Sequence, residues 1–164
     1  MERQKANKIL FTIWVLILVA CDHPKYDTYK TLGNTGWPLD QPVSFEVNLE
    51  DVSKPHHVFL NVRTDKEYPY RNLYLISKVT FPDGIAVKDT LEYQMTDAYG
   101  NWLGTGLTDV KDNALYFLEN YTFPEPGNYK FQFTQAMRKR GDLQGLPVLQ
   151  GVRDFGLRIE EVQN

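Results

Sequence analysis

From Val43 to Glu161 the chain repeatedly places an apolar side chain at every second position, the period that sends alternate residues to one face of a β-sheet. Val43, Phe45, Val47 and Leu49 alternate with Ser44, Glu46 and Asn48 and predict a half-buried strand. Val58, Leu60 and Val62 repeat the pattern after a polar break at 50–55. Leu73, Leu75, Ser77 and Val79 predict one face of a third strand, with Tyr74, Ile76 and Lys78 on the other. Pro82-Asp83-Gly84 then ends it with turn chemistry. Leu91, Tyr93 and Met95 predict a shorter strand, followed by a glycine-rich segment at 97–106. Residues 114–123 are apolar on both faces, as in a central strand. A Pro126-Gly127 turn opens the clearest strand, running to Phe133, and a last strand over 152–161 sets Phe155, Leu157 and Ile159 against Arg158 and Glu160.

About seven or eight strands separated by turns, with no repeat unit, predict an all-β chain folded as a single antiparallel, immunoglobulin-like β-sandwich. A closed barrel is the structural alternative. Tyr129, just after the turn and two residues before Phe131, sits where immunoglobulin-like sandwiches place a tyrosine corner, its hydroxyl bonded to upstream backbone. Past residue 20, no segment keeps helical period for three turns, although 110–115 or 135–140 could form a short turn.

The start of the chain follows a different pattern. Arg3, Lys5 and Lys8 precede an apolar run from Ile9 to Val19, and Leu18-Val19-Ala20-Cys21 closes it. A run of about 11 residues is well short of the roughly 20 that span a bilayer. The basic, apolar and small-residue order is that of a secretory signal, and its last four residues resemble the lipobox of bacterial lipoproteins. That resemblance implies that residues 1–20 are a signal peptide and that Cys21 is lipidated and becomes the first mature residue. Two or three acyl chains, at about 0.8 kcal/mol per buried methylene, hold such a protein on a membrane. Residues 21–42 are expected to form a partly mobile anchored segment in which the Trp37 region docks, and 43–164 the sandwich domain. Cys21 is the only cysteine, which rules out an internal disulfide.

Three of the 18 basic and one of the 21 acidic residues lie in the first 20, which leaves 15 against 20 and a formal charge of −5. This balance argues against nucleic acid as a partner, since nucleic acid selects clustered Lys and Arg. His23, His56 and His57 lack metal-site spacing and are read as solvated loop-end residues. No Gly-x-Ser-x-Gly elbow or phosphate-binding loop occurs, so neither a nucleophile, a metal nor a small-molecule cofactor is expected. Asp97 and Asp109 could be imagined as an acid–base pair, but capping and solvation are the ordinary roles of such aspartates.

Two surface candidates remain. Arg63, Tyr68, Tyr70 and Arg71, with the basic cluster containing Arg138 and Arg140, have the arginine–tyrosine composition of protein-interface anchors. Trp37, Tyr99 and Trp102 form the alternative, a stacking platform for a glycan.

Several segments taken in order resemble one family. They are Arg63 with Glu67-Tyr68-Pro69-Tyr70 and Asn72-Leu73-Tyr74-Leu75, then Asp97, Gly100 and Trp102-Leu103-Gly104-Thr105-Gly106, then Pro126-Gly127-Asn128-Tyr129 with Gln135-Ala136-Met137-Arg138. The set ends with the stretch from Leu149 through Gly151-Val152-Arg153-Asp154-Phe155-Gly156 to Glu160. Together they are similar to the gliding-motility lipoprotein family GldH of Bacteroidota. The resemblance implies a cell-envelope lipoprotein without enzymatic activity, serving surface motility and the secretion machinery linked to it through envelope protein partners. Under enterobacterial sorting rules Asp22 implies inner-membrane retention, and the lack of an acidic tract after Cys21 favours a periplasm-facing anchor.

Overall fold

A computed structural model describes residues 24–163. Ten strands follow one another: β1 Tyr26–Thr31, β2 Trp37–Pro38, β3 Val43–Leu49, β4 His56–Thr64, β5 Asn72–Thr80, β6 Ala86–Gln94, β7 Lys111–Tyr121, β8 Gly127–Gln135, β9 Val148–Leu149 and β10 Val152–Glu161. The first sheet has the order β1-β10-β4-β7 and the second β3-β8-β5-β6, while β2 and β9 form a small ribbon. Every pairing is antiparallel.

The pairings are nested. β5 pairs with β6 through the tight turn at Phe81–Ile85, β4 with β7, β3 with β8 and β1 with β10. One long hairpin is thus rolled up, its successive pairs falling alternately in the two sheets, which is the strand order of a jelly roll. The antiparallel sandwich predicted by the alternation is present, with its strands connected as a jelly roll where an immunoglobulin-like order was expected. So is the tyrosine corner: the Tyr129 hydroxyl donates to the Glu125 carbonyl at 2.6 Å.

Alternation explains the core. Val43, Phe45, Val47 and Leu49 are buried on β3, Val58, Leu60 and Val62 on β4, Leu73 and Leu75 on β5, and Phe155, Leu157 and Ile159 on β10. Each fully buried side chain of this size contributes about 1.5–3 kcal/mol relative to exposure. Phe155 links the sheets, with its ring centroid 5.3 Å from Phe133, 6.3 Å from Phe45 and 4.9 Å from Trp37.

Four local expectations change. The first strand begins at Tyr26 rather than Val43, because β1 pairs with β10 in continuous register from Tyr26↔Ile159 to Thr31↔Asp154. The strand at 86–94 is longer than its apolar residues indicate, since it is an edge strand whose inner face is only partly covered. The segment read as a central strand, β7, is also an edge. It is apolar on both faces because Phe117 reaches the core, 5.3 Å from Phe133, while outward-facing Tyr116 packs on Phe59 at 4.4 Å. His56, read as solvated, is buried against Phe123 at 5.6 Å. His57, on the opposite face, accepts a hydrogen bond from the Asn120 N–H at 3.2 Å, and His23 lies outside the described residues.

Two predictions follow from the core. Tyr129→Phe removes the corner hydrogen bond and leaves the Glu125 carbonyl without that donor, so chemical denaturation should show a loss of about 0.5–1.5 kcal/mol. An unchanged midpoint would separate the hydroxyl from stability. The second concerns His56, whose Nδ1 has no partner and whose affinity for a proton is lowered by burial. The folded chain therefore binds this proton less readily than the unfolded chain, for which the imidazole titrates near about 6.5. The resulting stability is intact above that value and declines as pH falls through it. Wild type should lose melting temperature between pH 7.5 and 5, and His56→Leu should narrow that loss; an identical loss in the variant would assign it to other groups.

Candidate functional site at the long-loop end

The connections at the two ends of the sandwich are unequal. At the end where Lys25 enters and pairs with Glu161 at 3.5 Å, three short connections lie at 50–55, 81–85 and 122–126. At the other end, four longer connections lie at 32–42, 65–71, 95–110 and 136–147. All the candidate residues except Cys21, which lies outside the described residues, fall at or beside this long-loop end.

Polar ties hold these loops in place. Asp65 Oδ1 accepts from the Glu67 N–H at 2.9 Å, and the Asp65 N–H donates to the Gly151 carbonyl at 2.9 Å. Arg153 is the hub: its guanidinium is paired with Asp65 and donates to the Gly33 carbonyl at 3.2 Å, to Asn34 Oδ1 at 2.6 Å and to Glu67 at 3.3 Å. Gly151 lies at φ +78°, and a Cβ there would stand 2.1 Å from the Tyr68 nitrogen, so only glycine lets the two backbones meet. The buried Gln135 amide orders the 136–147 loop by donating to the Leu146 carbonyl at 2.7 Å while its oxygen accepts from the Met137 N–H at 2.9 Å. The 95–106 loop is built on Asp97, whose Oδ1 accepts from the N–H groups of Tyr99 and Asn101 at 2.9 and 2.8 Å. Those hydrogen bonds, with that from the Asn101 side chain foremost, hold the Asp97 carboxyl below its ordinary range. Asp97 is therefore a turn residue, and Asp109 is exposed and pairs with Lys66 at 3.7 Å.

The structure divides the interface candidates. Tyr68 is buried, its hydroxyl donating to the Asn72 carbonyl at 2.7 Å and its ring packed between Tyr70 and Trp102, so it supports the surface without presenting itself there. Arg63 lies on the outer face of the first sheet, bound to Asp112 at 2.6 Å, near Asp154 at 3.8 Å and over the Tyr29 ring at 5.1 Å. Tyr70 is half-buried, while Arg71, Arg138 and Arg140 are exposed. Among the described residues, no carboxylate lies within ion-pair distance of these three exposed arginines or of Lys139. The Leu75↔Gln135 register continues through the bond from the Ala136 N–H to the Tyr74 carbonyl, which places Arg138 beside the start of β5, where Arg71 precedes it. A groove of about 590 Å³ opens here on the outer face of the second sheet, between Leu39, Tyr74, Ile76, Thr134, Arg138 and Gly145.

The glycan platform does not assemble. Trp37 is buried in the core, its indole N–H donating to the Gln41 carbonyl at 2.9 Å, so it offers no face to a sugar. Trp102 leans on Tyr68 with 38% of its surface exposed, and Tyr99 stands free at 91%.

Three features of this end have roles that the sequence alone does not reveal. Arg153 and Gln135 position loops, and their role depends on partners more than 100 residues away, or on a buried amide, that no local pattern marks. Leu103, Leu107 and Leu143 are exposed apolar residues in polar loops. Their signal was an aliphatic residue among Gly, Asp and Thr, where turn chemistry alone would place none. Among the described residues, no group of three His, Cys, Asp or Glu side chains could hold a metal, and no helix is long and apolar enough to cross a membrane.

The GldH lipoprotein family model matches residues 25–159. The gliding motility lipoprotein GldH homolog of Christiangramia forsetii is 40% identical over 163 residues, covering 99% of each chain. The gliding motility lipoprotein GldH of Flavobacterium johnsoniae is 36% identical over 156 residues, 94% of this chain and 96% of that protein. Among solved structures, a family GH115 4-O-methyl-α-glucuronidase aligns with 88% of this chain but only 18% of its own, at 10% identity and a TM-score of 0.45. The family match and the two near-full-length relatives agree with the ordered motifs around Tyr68, Trp102, Tyr129 and Arg153: the chain belongs to the GldH lipoprotein family.

Proposed function

We propose that this chain is a non-catalytic interaction or scaffolding component of the gliding-motility apparatus and its associated secretion machinery. In this reading the lipid on Cys21 holds it to an envelope membrane, with the sandwich facing the periplasm. The carrying observation is the polarity of the molecule. Lys25, four residues after Cys21, enters at the short-connection end, and the long loops with their unpaired cations and exposed leucines occupy the other. A lipid at Cys21 would set the short-connection end against the membrane and project the long-loop end toward a protein partner.

The contact we assign is the corner of Tyr70, Arg71, Arg138 and Arg140 beside the groove over Tyr74 and Ile76. Tyrosine and arginine are over-represented among residues that dominate interface energy, and a chain of formal charge −3, or −5 from residue 21 onward, in which no carboxylate among the described residues pairs with these arginines, presents them to a partner. Arg63 belongs to a second face, where its charge is already compensated.

Two experiments check this. Cys21→Ala should abolish incorporation of labelled fatty acid and release the protein from the membrane fraction or leave it as precursor; unchanged labelling and fractionation would remove the anchor. In a gliding host carrying this chain as its sole copy, Arg71→Ala with Arg138→Ala should impair spreading and adhesin export at normal envelope abundance. Loss of one interface arginine costs about 1 kcal/mol or more, a change in affinity of about fivefold or greater. Full function of the double variant at normal abundance would sink this contact, and sugar binding lost on Trp102→Ala would move the assignment to a glycan.

A further inference from the structure

Away from the long-loop contact, the two sheets meet along two seams that are built differently. At one seam β1 lies next to β3, and the Tyr26 ring packs edge-on against Phe45 at 6.5 Å. At the other, β6 and β7 face each other. Toward the long loops this seam is tied shut by the Tyr93 hydroxyl, which donates to the Tyr116 carbonyl at 3.0 Å. Toward the anchor end it opens as a crevice of about 250 Å³ between Phe81, Val87, Leu91, Phe117 and Tyr121, with Asp89 at its mouth.

The edges bordering this crevice also differ. The outer edge of β7 is occupied or distorted: Thr105 and Asp112 exchange backbone hydrogen bonds at 2.9 and 2.7 Å, the β4–β7 register shifts near His56–Phe59, and Asn120 has φ 50°. β6 runs for nine residues without a bulge or a proline. Its parity is fixed by the bonds that flank it, Phe81 N–H to the Ile85 carbonyl and Met95 N–H to the Arg71 carbonyl, both 2.8 Å. In an antiparallel pair these bonds alternate, so Val87, Asp89, Leu91 and Tyr93 bond to β5, while Ala86, Lys88, Thr90, Glu92 and Gln94 point their N–H and carbonyl groups outward. Only the Thr90 N–H has a partner there, the Oδ1 of Asp89 at 2.7 Å.

A long regular edge beside an apolar slot is the arrangement to which an added strand binds, through main-chain hydrogen bonds and alternate side chains. We propose that β6 takes up an extended segment of a partner protein, with alternate apolar side chains filling the crevice and a Lys or Arg facing Asp89. The Asp89 carboxylate caps the Thr90 N–H while the edge is free. An incoming cation pairs with that carboxylate and releases the N–H to the new strand. A second copy fits less well: antiparallel pairing of β6 on itself about Thr90 sets Lys88 against Glu92 but lays Leu91 over Asp89, an aliphatic group over a charge. An inward-facing charge on an edge strand is a known guard against such self-pairing. The proposal is independent of the long-loop contact and stands or falls without it.

The test uses the mature chain purified from membranes in detergent, and as probe a capped nine-residue peptide alternating valine and threonine, with lysine in place of the central valine. The lysine peptide should slow hydrogen exchange at Lys88, Thr90 and Glu92, the outward amides. It should bind at least tenfold more tightly than its glutamate counterpart, and Asp89→Lys should invert that order. Thr90→Pro removes only an outward N–H, a position where edge strands accept proline. It should keep the wild-type melting temperature within a few degrees, lose the peptide and, as sole copy in a gliding host, impair spreading at normal abundance. No protection of the three amides at millimolar lysine peptide, equal affinity for the two peptides, or full function of Thr90→Pro at normal abundance would each overturn the proposal. Dimerisation crosslinked through Lys88 and Glu92 would overturn it in favour of a second copy. The Arg71 and Arg138 double variant should bind the lysine peptide as wild type does, so failure at one site is told apart from failure at the other.

Discussion

Phe155 is the contact on which the rest of the molecule depends. Its ring meets Phe45 and Phe133 of the opposite sheet and Trp37 of the small ribbon, so one side chain fixes the spacing of both layers and the docking of the segment before β3. A cavity left by truncating such a residue typically costs about 3–5 kcal/mol, a large part of the stability of a domain this size. The neighbours of Phe155 in sequence carry the other half of the architecture. A register shift between Val152 and Asp154 turns Arg153 out of the alternation, and it gathers Asp65, Glu67, Gly33 and Asn34. Gly151 admits the backbone of Tyr68. Core and loop end are thus tied through five consecutive residues, and a change in this segment reaches both.

Charge is distributed as unevenly as loop length. On the outer face of the first sheet, Arg63 and Arg158 each meet carboxylates of the same face, so both cations are compensated where they stand. On the second sheet Lys78 stands directly across from Lys88, a like-charge pairing that disfavours the sheet, and Arg138 extends the same sign toward the long loops. Exposed pairs contribute little to stability, so this difference has more to do with what approaches each face than with how the chain folds.

Most of the strand layout was legible because a two-residue period is written directly in the side chains: β3, β4, β5, β8 and β10 each bury the residues that the alternation assigned. The tyrosine corner was legible for the same local reason, a turn followed by an aromatic at fixed spacing. Three of the four edge strands were harder. β6 and β7 break the period because one face of an edge strand is covered only in part, and β1 carries Asp27, Thr28 and Lys30 among its tyrosines and is held by its partner strand, with little apolar pattern of its own. At the site, residue type was legible but orientation was not. Tyr68 and Trp37 have the composition of binding residues and are consumed by packing, whereas Leu107 and Leu143 have the composition of a core and stand in solvent. Orientation depends on hydrogen bonds spanning the chain, such as Arg153 to Asn34, which no window of sequence contains.

The nested pairing also explains why the two seams differ. A rolled hairpin has two ends in each sheet; β1 and β3 are joined by the segment containing Trp37, which packs into the core, and this fills their seam. β6 and β7 lie next to each other in sequence but in different sheets, so the chain must cross between layers after Gln94. It does so through the glycine-rich loop, which bonds to β7 at Asp112 and closes only the nearer end of the seam. Nothing in the connectivity requires closure at the farther end, because the turns there belong to the β5–β6 and β7–β8 connections and lie on either side of the gap. The open crevice is therefore a consequence of the order in which the strands are laid down, and its apolar lining exists because Phe81, Phe117 and Tyr121 keep the core alternation beyond the point where the two edges remain in contact.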